Sequence, residues 1–310
     1  MVTRATPVTR GRPPTGTVHR KATRNATADF QPQRWKLRIA HHIGFPDTDR
    51  PAFKYTLGTA DPVANIDFMA SLGFAGVLDN NIKYRPRREQ DRIARAIDRH
   101  GMELGCFVNQ KRPYSIRWGS NEPGMREAIV KEVKASVETA KRVNGRNIVV
   151  VTERNRALPL WWELGNMIDN LRAVRGMVEK AGLVLVVEHV NQPRRPDNLV
   201  TRLGEAHLIV KALDTPAVRL MYDTEHVQVM DGNLITNVDR VISEIGSVQV
   251  ADIPGRLEPG QGEINFVNFF RKLRSARYRG LVELEHNYSD DSAAGEKAAY
   301  EELCRINAAM

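Results

Sequence analysis

Residues 183–190 read LVLVVEHV. The run from Leu183 to Val187 is entirely apolar and rich in β-branched valine, which is typical of a strand covered on both faces, as in a parallel sheet. Longer segments with helical periodicity lie on either side of it, at 162–181 and 199–213. The stretch therefore predicts a buried parallel strand between two helices, with Glu188 at its carboxyl end.

The same alternation of a short apolar run and a longer helical segment occurs eight times. The predicted strands are 36–41, 74–79, 102–108, 147–152, 183–190, 218–223, 247–252 and 280–286. The predicted helices lie near 62–72, 87–100, 123–144, 162–181, 199–213, 234–244, 263–276 and 292–308. Eight such units in about 275 residues predict an α/β fold of the (β/α)8 TIM barrel type, with one catalytic domain at 35–310. A doubly wound sheet is the alternative, but HHIGFPD (41–47) is not the glycine-rich phosphate turn that usually follows its first strand.

The first 34 residues differ in composition from the rest of the chain. They contain seven lysines and arginines but one acid, Asp29, and so account for most of the net charge of +9. Because this segment has almost no large apolar side chains, we expect a disordered basic tail at 1–34. Organelle or export targeting and nonspecific contact with nucleic acid are alternatives. No base-reading motif predicts a specific nucleic-acid partner.

Composition also bounds the compartment and the partners. No run approaches 18 consecutive apolar residues, so neither a transmembrane helix nor a membrane partner is predicted. The sequence has two cysteines, Cys106 and Cys304, which is too few for a disulfide framework or a thiolate metal site. We therefore expect a reducing, cytoplasmic location.

Polar side chains lie at the ends of the fifth to eighth predicted strands. Glu188, Asp223 and Gln249 belong to the fifth, sixth and seventh, and in such a barrel the site lies at the carboxyl ends of the strands. The eighth offers Glu283 and Glu285, which share a face; Glu285 is favoured because it lies nearer the carboxyl end. Converging carboxylates repel each other unless a cation lies among them, and an all-oxygen set suits Mg²⁺ or Mn²⁺. Separate salt-bridged residues are the alternative.

Three longer stretches carry a family resemblance. They are VQVADIPGRLEPGQGEINF (248–266), MYDTEHVQVMDGNL (221–234) and YRGLVELEH (278–286). In these stretches the sequence resembles the hydroxypyruvate isomerase family, within the xylose isomerase-like TIM barrel superfamily. The resemblance extends through most of 35–310 and is strongest after Leu183. The end of the second strand, VLDNNIKYRP (77–86), departs from the family pattern.

The resemblance implies roles for individual residues. The residues expected to bind one divalent metal ion, Mn²⁺ or Mg²⁺, are Glu188, Asp223, Gln249 and Glu285. Glu188 and Glu285 would also be the catalytic acid and base. His226 and Arg256 would contact oxygen atoms of the substrate.

Two further residues are candidate substrate contacts. Asn191 follows the strand-five glutamate in the family-like EHVNQ pattern. Trp161, in TERNRALPLWW (152–162), could line a wide mouth, although tryptophan pairs more often pack in cores or between helices. Asp252 and Glu258 lie in the strand-seven motif without an assigned role.

The implied reaction is isomerisation of a sugar or keto acid, in which a carbonyl moves between adjacent carbons. A metal ion bound to the substrate's oxygens stabilises the enediolate, and two glutamates move the proton. The alternative is a metal-dependent lyase or dehydratase on the same barrel, similar to inosose dehydratases or to the subunits that cleave oxidised C-glycosides. The long segment 42–61 and the tryptophan pair favour a substrate larger than a triose.

Two other classes remain as alternatives, a metal-free binding protein and an endonuclease. The endonuclease would need more metal ions and more histidine ligands than these strand ends offer. For the isomerase and the lyase, the expected partner is a small hydroxylated keto compound, such as a sugar, a keto acid or an oxidised glycoside. A homo-oligomer is expected only at the level of the family.

Overall fold

Parallel strands form one curled sheet in the computed structural model, which describes residues 27–310. The strands are β1 (Arg38–His42), β2 (Gly76–Leu78), β3 (Glu103–Leu104), β4 (Phe107–Val108), β5 (Asn147–Val150), β6 (Val184–Val187), β7 (Val218–Asp223), β8 (Ile245–Val250) and β9 (Leu281–Leu284). Their order is β3-β2-β1-β9-β8-β7-β6-β5-β4, and every pairing is parallel.

The third predicted strand is two short strands, β3 and β4, separated by Gly105 and Cys106. β3 pairs with β2 and β4 pairs with β5, so the chain itself closes the barrel at this point. The Glu283 side chain fills the barrel beside the break: a Cβ at Gly105 would lie 2.7 Å from Glu283 Oε1. The predicted eight-stranded TIM barrel is thus confirmed, and each later strand's label is one higher than its predicted rank.

Helices cover the outside of the barrel. They are α1 (Lys54–Leu57), α2 (Pro62–Ser71), α3 (Arg87–Arg99), α4 (Met125–Val143), α5 (Leu160–Lys180), α6 (Leu203–Leu213), α7 (Thr224–Met230), α8 (Leu234–Val241), α9 (Phe266–Ser275) and α10 (Ala293–Ala309). Two of them were not expected: α1 lies within the long first loop, and α7 directly follows β7. Because helices cover the sheet, every residue of β6 is buried, and all four of its residues are apolar.

The folded part begins before the predicted boundary at 34/35. Phe30 is 6% exposed, and its ring centroid lies 5.8 Å from that of Phe53, 5.3 Å from Phe68 and 5.2 Å from Tyr300. The Tyr300 hydroxyl also donates to the carbonyl oxygen of Gln31 at 2.6 Å. The buried Phe30 ring therefore attaches the mostly exposed residues 27–34 to the barrel. Residues 1–26 lie outside the described residues, and a disordered tail there stays a prediction.

Two predictions from composition bear on the described chain. Within residues 27–310 no helix combines the length and the apolar character needed to cross a membrane. Cys106 is buried, Cys304 is half-buried, and both are free thiols, as the cysteine count predicts. The cytoplasmic location stays a prediction.

Candidate metal and substrate site

Four predicted ligands lie at the carboxyl ends of neighbouring strands. Asp223 ends β7 and pairs in register with Gln249 on β8, while Glu188 and Glu285 directly follow β6 and β9. Asp223, Gln249 and Glu285 are buried, and the Glu188 side chain is 12% exposed. The parallel register therefore collects these side chains at one end of the barrel, as the sequence predicts.

The Arg256 guanidinium lies among these acids. Its Nη2 atom donates to Asp223 Oδ2 at 2.8 Å and to Glu285 Oε2 at 3.0 Å, and its Nη1 atom donates to Glu225. Arg256 is 2% exposed and its φ of 54° lies in the left-handed region, which an arginine adopts only when its surroundings hold it there. A residue expected to contact substrate is thus bonded to two of the predicted metal ligands.

Asp223 and Glu285 have pKa values that are shifted in opposite directions. Burial by itself raises the pKa of Asp223, but the charge of Arg256 outweighs this and lowers that pKa below its usual value. Burial raises the pKa of Glu285 to about 7; Arg256 opposes this, and the charges of Glu188 and Asp223 add to it. Asp223 is therefore ionised, whereas Glu285 holds a proton until near neutral pH when no cation is bound.

His226 is oriented by an amide and faces a carboxylate. Asn191 Nδ2 lies 2.9 Å from His226 Nδ1, and the Asn191 oxygen accepts from the backbone N–H of Arg194 at 2.8 Å, which fixes the amide's direction. Because an amide NH₂ only donates, Nδ1 accepts and the ring proton lies on Nε2. That atom is 3.5 Å from Glu188 Oε1. The predicted site residue Asn191 thus acts on the predicted site residue His226.

The side-chain oxygen of Gln249 shows whether these residues fit a metal ion. Its Nε2 atom donates to Glu283 Oε2 at 3.5 Å, and Glu283 is itself held by Ser247 Oγ at 2.8 Å and the Cys106 N–H at 3.1 Å. The other amide atom, Gln249 Oε1, is buried and has no hydrogen-bond partner within the described chain. An unpaired buried oxygen is costly, and a cation beside it would remove that cost.

These contacts also separate the two glutamates of the eighth predicted strand. Glu283 points into the barrel, where it pairs in register with Gln249. Glu285, two residues further on, faces the mouth, where it meets Arg256 and also accepts from Asn80 Nδ2 at 2.7 Å. The sequence could not distinguish them because both lie on the same face of the strand.

The donor set fits a hard divalent cation. Glu188, Asp223 and His226 each offer an atom within 4.8 Å of the others. Glu285, whose carboxylate is bonded to Arg256 and Asn80, lies outside this cluster in the described residues, but its carboxylate and the Oε1 atom of Gln249 are further oxygen donors at the same strand ends. Glu188, Asp223, Gln249 and Glu285 would hold the ion. His226 joins them as a candidate that the sequence had assigned to the substrate.

A cavity of about 330 Å³ opens over these residues. Its floor includes Glu188, His226, Arg256 and Glu285, and its wall includes Phe45 and Tyr114. Four cationic side chains also line it, namely Lys111, Arg112, Arg194 and Arg195. Arg112 pairs with Glu153 at 3.1 Å and Arg194 lies 3.6 Å from Glu225. The mouth therefore combines a cluster of acids below with positive charge around the rim.

Two residues left without a role organise the loop that carries Arg256. The Asp252 carboxylate accepts the backbone N–H groups of Gly260, Gly262 and Ile264 at 3.0, 2.8 and 3.1 Å. Glu258 accepts the backbone N–H of Ser289 at 2.9 Å, which ties the same loop to the segment after β9. Polar residues among glycines in the motif were the signal for this role.

Sequence reasoning also missed Glu225 and Asn80. Glu225 bonds to Arg256 and is 7% exposed, and Asn80 holds the second oxygen of Glu285. Asn80 was noticed only as a departure from the family pattern. Glu225 lies in the motif MYDTEHVQVMDGNL (221–234), from which only Asp223 and His226 were predicted as site residues.

The prediction that Trp161 lines the mouth needs correction. Trp161 is 71% exposed in the first turn of α5, and its ring meets that of Trp162 edge-on at 5.8 Å. It is not among the residues that line the cavity. The phase of α5 instead turns Glu163 and Met167 inward, so the helix presents Trp161 to solvent.

Comparison with known proteins agrees with the fold. Residues 66–307 match a family described as xylose isomerase-like TIM barrel. The chain is 29% identical over 181 residues to a putative hydroxypyruvate isomerase from Danio rerio, covering 56% of this chain and 65% of that protein. It is 27% identical over 174 residues to hydroxypyruvate isomerase from Escherichia coli, covering 56% and 67%.

A third relative is named for a different substrate. The 2-oxo-tetronate isomerase of Pectobacterium atrosepticum is 31% identical over 120 residues, covering 39% of this chain and 46% of that protein. The matched segments thus span from about half to two thirds of the length of these relatives.

Solved structures share the fold at lower identity. An AP endonuclease of family 2 from Brucella melitensis matches with a TM-score of 0.69 at 23% identity, covering 84% of this chain and 96% of that one. The apo form of 3-keto-D-glucoside 4-epimerase from E. coli matches with a TM-score of 0.69 at 20% identity, covering 88% and 100%. At such identities the likeness is one of fold and does not choose between nuclease and sugar chemistry.

Proposed function

We propose that this chain, which belongs to the xylose isomerase-like TIM barrel family, is a metal-dependent isomerase of small keto acids or keto sugars. The observation that carries the proposal is that Gln249 Oε1 is buried without a hydrogen-bond partner in residues 27–310, on a residue that pairs in register with Asp223 at the carboxyl end of the barrel. The relatives named isomerases support the reaction class.

The two glutamates divide the proton transfer between them. Glu188 removes the proton on the carbon next to the substrate carbonyl, and Glu285 returns a proton to the neighbouring carbon. When bound, a divalent cation would stabilise negative charge on the substrate's oxygen atoms.

Two cationic or polar donors complete the site. His226 presents Nε2–H at the mouth, on the same side as Glu188. Arg256 has a third nitrogen, Nε, that is buried and has no hydrogen-bond partner within residues 27–310. Both can donate to oxygen atoms on which charge develops.

The rim of the cavity favours an anionic substrate. Lys111 and Arg195 line the mouth, and neither has a carboxylate within 4.0 Å among the described residues. Unpaired cations at a mouth attract and bind carboxylates. A keto acid therefore fits the rim better than a neutral keto sugar, in line with the acids named for the relatives.

A lyase or dehydratase on the same residues is the second candidate. The first loop contributes Phe45, Pro46 and Asp47 to the wall of the cavity, and a volume of about 330 Å³ lies within the usual range of small-molecule sites. The space admits a substrate larger than a triose. Loss of a β-substituent would then replace the return of the proton.

Proton exchange in D₂O distinguishes these functions. The Mn²⁺-loaded protein is incubated with hydroxypyruvate, a longer 2-keto-3-hydroxy acid and a neutral ketose, and products are followed by NMR. Deuterium at the exchanging carbon with an isomer whose carbonyl has moved to the neighbouring carbon supports the isomerase; that isomer is an aldehyde from hydroxypyruvate or the ketose and a ketone from the longer acid. Loss of water or of an aglycone supports the lyase. Glu188→Gln should abolish exchange, whereas Glu153→Gln at the rim should not. Absence of exchange from every substrate would refute both.

A further inference from the structure

A second cavity lies at the opposite, amino-terminal end of the barrel. Its volume is about 610 Å³, larger than that of the mouth. Residues at the starts of strands line it, including Leu104, Val184 and Leu281. No residue of the proposed active site is among its lining residues in the described chain, so it is a separate feature.

Arginine dominates the polar lining of this amino-terminal cavity. Its five arginines are Arg38, Arg146, Arg219, Arg277 and Arg279, and its two acids are Glu103 and Glu283. Glu103 is already paired with Arg38 at 2.6 Å. Glu283 is turned into the barrel, where it accepts from Ser247 and Cys106. Neither acid is free to neutralise the remaining arginines.

Three of these guanidinium groups have no partner in residues 27–310. Arg146, Arg277 and Arg279 make neither an ion pair nor a side-chain hydrogen bond there. All three side chains are exposed, so solvent screens much of their mutual repulsion, and an anion bound among them would lower it further. Guanidinium groups bind phosphate and carboxylate oxygens through paired hydrogen bonds.

The positions of the arginines are not explained by helix ends alone. Basic residues often stabilise the carboxyl ends of helices, and Arg277 follows α9 closely. Arg38 and Arg219, however, lie on strands β1 and β7. Gly246 leaves room for the Arg219 stem, because a Cβ at 246 would lie 2.6 Å from the Arg219 Cβ.

We propose that the amino-terminal cavity binds a small molecule that carries a phosphate or diphosphate group. The arginines would bind the phosphate oxygens, and apolar residues such as Leu104, Pro216 and Ile242 would contact the rest. The volume falls in the range of sites for small ligands, and the surface is concave, which favours a small molecule over a macromolecule.

Binding of inorganic pyrophosphate and of ADP tests this site. Both are titrated calorimetrically into the full chain and into Arg146→Gln/Arg277→Gln, whose exposed side chains make no contacts needed for folding. Two controls carry the same change in charge: Arg99→Gln/Arg172→Gln on exposed helix surfaces, and Lys111→Gln/Arg195→Gln at the mouth. We expect saturable binding with one site per chain, weakened about tenfold or more in the cavity variant and within about twofold of wild type in both controls.

The two probes distinguish the sources of phosphate. Tighter binding of ADP than of pyrophosphate indicates a nucleotide, and equal binding indicates a free phosphate compound; either supports the site. Equal losses in all three variants would show attraction by net charge only, and loss confined to the mouth variant would place the anion in the active site. Binding only of long polyanions such as heparin would indicate a macromolecule. The last three results (equal losses in all three variants, loss confined to the mouth variant, and binding only of long polyanions) would each overturn the proposal, and so would an absence of binding.

Discussion

Arg256 is the residue on which the charge balance of the site depends. It bonds to Asp223, Glu225 and Glu285, all of them buried. A guanidinium between two proposed ligands neutralises them when no metal is bound, and it opposes the approach of a second cation. The protein can therefore fold with its acidic cluster compensated before it acquires a metal ion.

Replacing this arginine should make stability depend on metal. Arg256→Met leaves buried Asp223 and Glu285 without a cationic partner and Glu225 with only Arg194, at 3.6 Å, which costs about 3–5 kcal/mol. We expect a lower Tm without metal and a larger rise in Tm on adding Mn²⁺ than in wild type. Differential scanning calorimetry with and without Mn²⁺ measures both.

Arg85→Met is the matched control for that experiment. Arg85 is also buried and pairs with buried Asp79, but it is not among the residues lining the mouth. It should lower Tm without adding any response to Mn²⁺. An equal Mn²⁺ response in the two variants would contradict the role assigned to Arg256.

His42 predicts how stability depends on pH. Burial and then the nearby charge of His286 lower its pKa to about 3, whereas an unfolded histidine titrates near 6.5. Between these values the unfolded chain binds the extra proton, so stability is lost as pH falls below about 6.5, by up to roughly 1.4 kcal/mol per pH unit for one such histidine.

His42→Phe should reduce that slope. The variant keeps a ring of similar size beside Phe45, whose centroid is 5.7 Å from that of His42, but it cannot take up a proton. Urea unfolding at several pH values from about 5 to 8 measures the slope. His207→Phe, at a partly exposed position, should leave it as in wild type; an unchanged slope in His42→Phe would show that other groups cause the loss.

Among elements, the loop 252–264 after β8 is held internally by the Asp252 carboxylate and tied to the segment after β9 by Glu258. Asp252 accepts hydrogen bonds from the backbone N–H groups of residues 260, 262 and 264. Arg256 lies in the same loop, between Asp252 and Gly260. Asp252→Asn removes part of this acceptor, so we expect a loss of about 2 kcal/mol or more in the free energy of unfolding. Activity should fall with it, since Arg256 would lose its fixed position.

Denaturant unfolding and steady-state kinetics check this prediction. Asp98→Asn, at an exposed position on α3, removes the same charge without such bonds and should change neither quantity. If Asp252→Asn were as stable and as active as wild type, the loop would be held by other contacts.

The elements show how far the sequence could predict the structure. Alternating buried runs and helical segments predicted the barrel. The polar residues at or near the ends of the fifth to eighth runs predicted the site, because parallel strands end at one edge. The direction of Glu283 and Glu285 needed the register with Gln249. The phase of α5, which exposes Trp161, and the packing of Phe30 depend on tertiary contacts that no local pattern encodes.

At the scale of the whole molecule, both ends of the barrel present arginines. The mouth has Lys111 and Arg195, which have no carboxylate within 4.0 Å in the described chain, and the amino-terminal cavity has three such arginines. Acids lie deeper, at the strand ends. This distribution attracts anions to the protein.

Ionic strength should therefore affect an anionic substrate selectively. Raising NaCl from about 0.05 M to 0.5 M shortens the screening length, so KM for a keto acid should rise several-fold while KM for a neutral ketose stays constant. Lys111→Gln/Arg195→Gln should raise KM for the acid and weaken its salt dependence. Equal salt effects on charged and neutral substrates would contradict an electrostatic role for the rim.

The central claim is that the side chains at the strand ends form a metal centre. A titration with Mn²⁺, monitored by electron paramagnetic resonance, tests this claim most directly. The account predicts one tightly bound ion per chain in wild type, binding weakened about tenfold or more in Gln249→Leu, and unchanged binding in Gln192→Leu on the exposed loop nearby. Absence of bound Mn²⁺ in wild type, or equal affinity in Gln249→Leu and wild type, would contradict it.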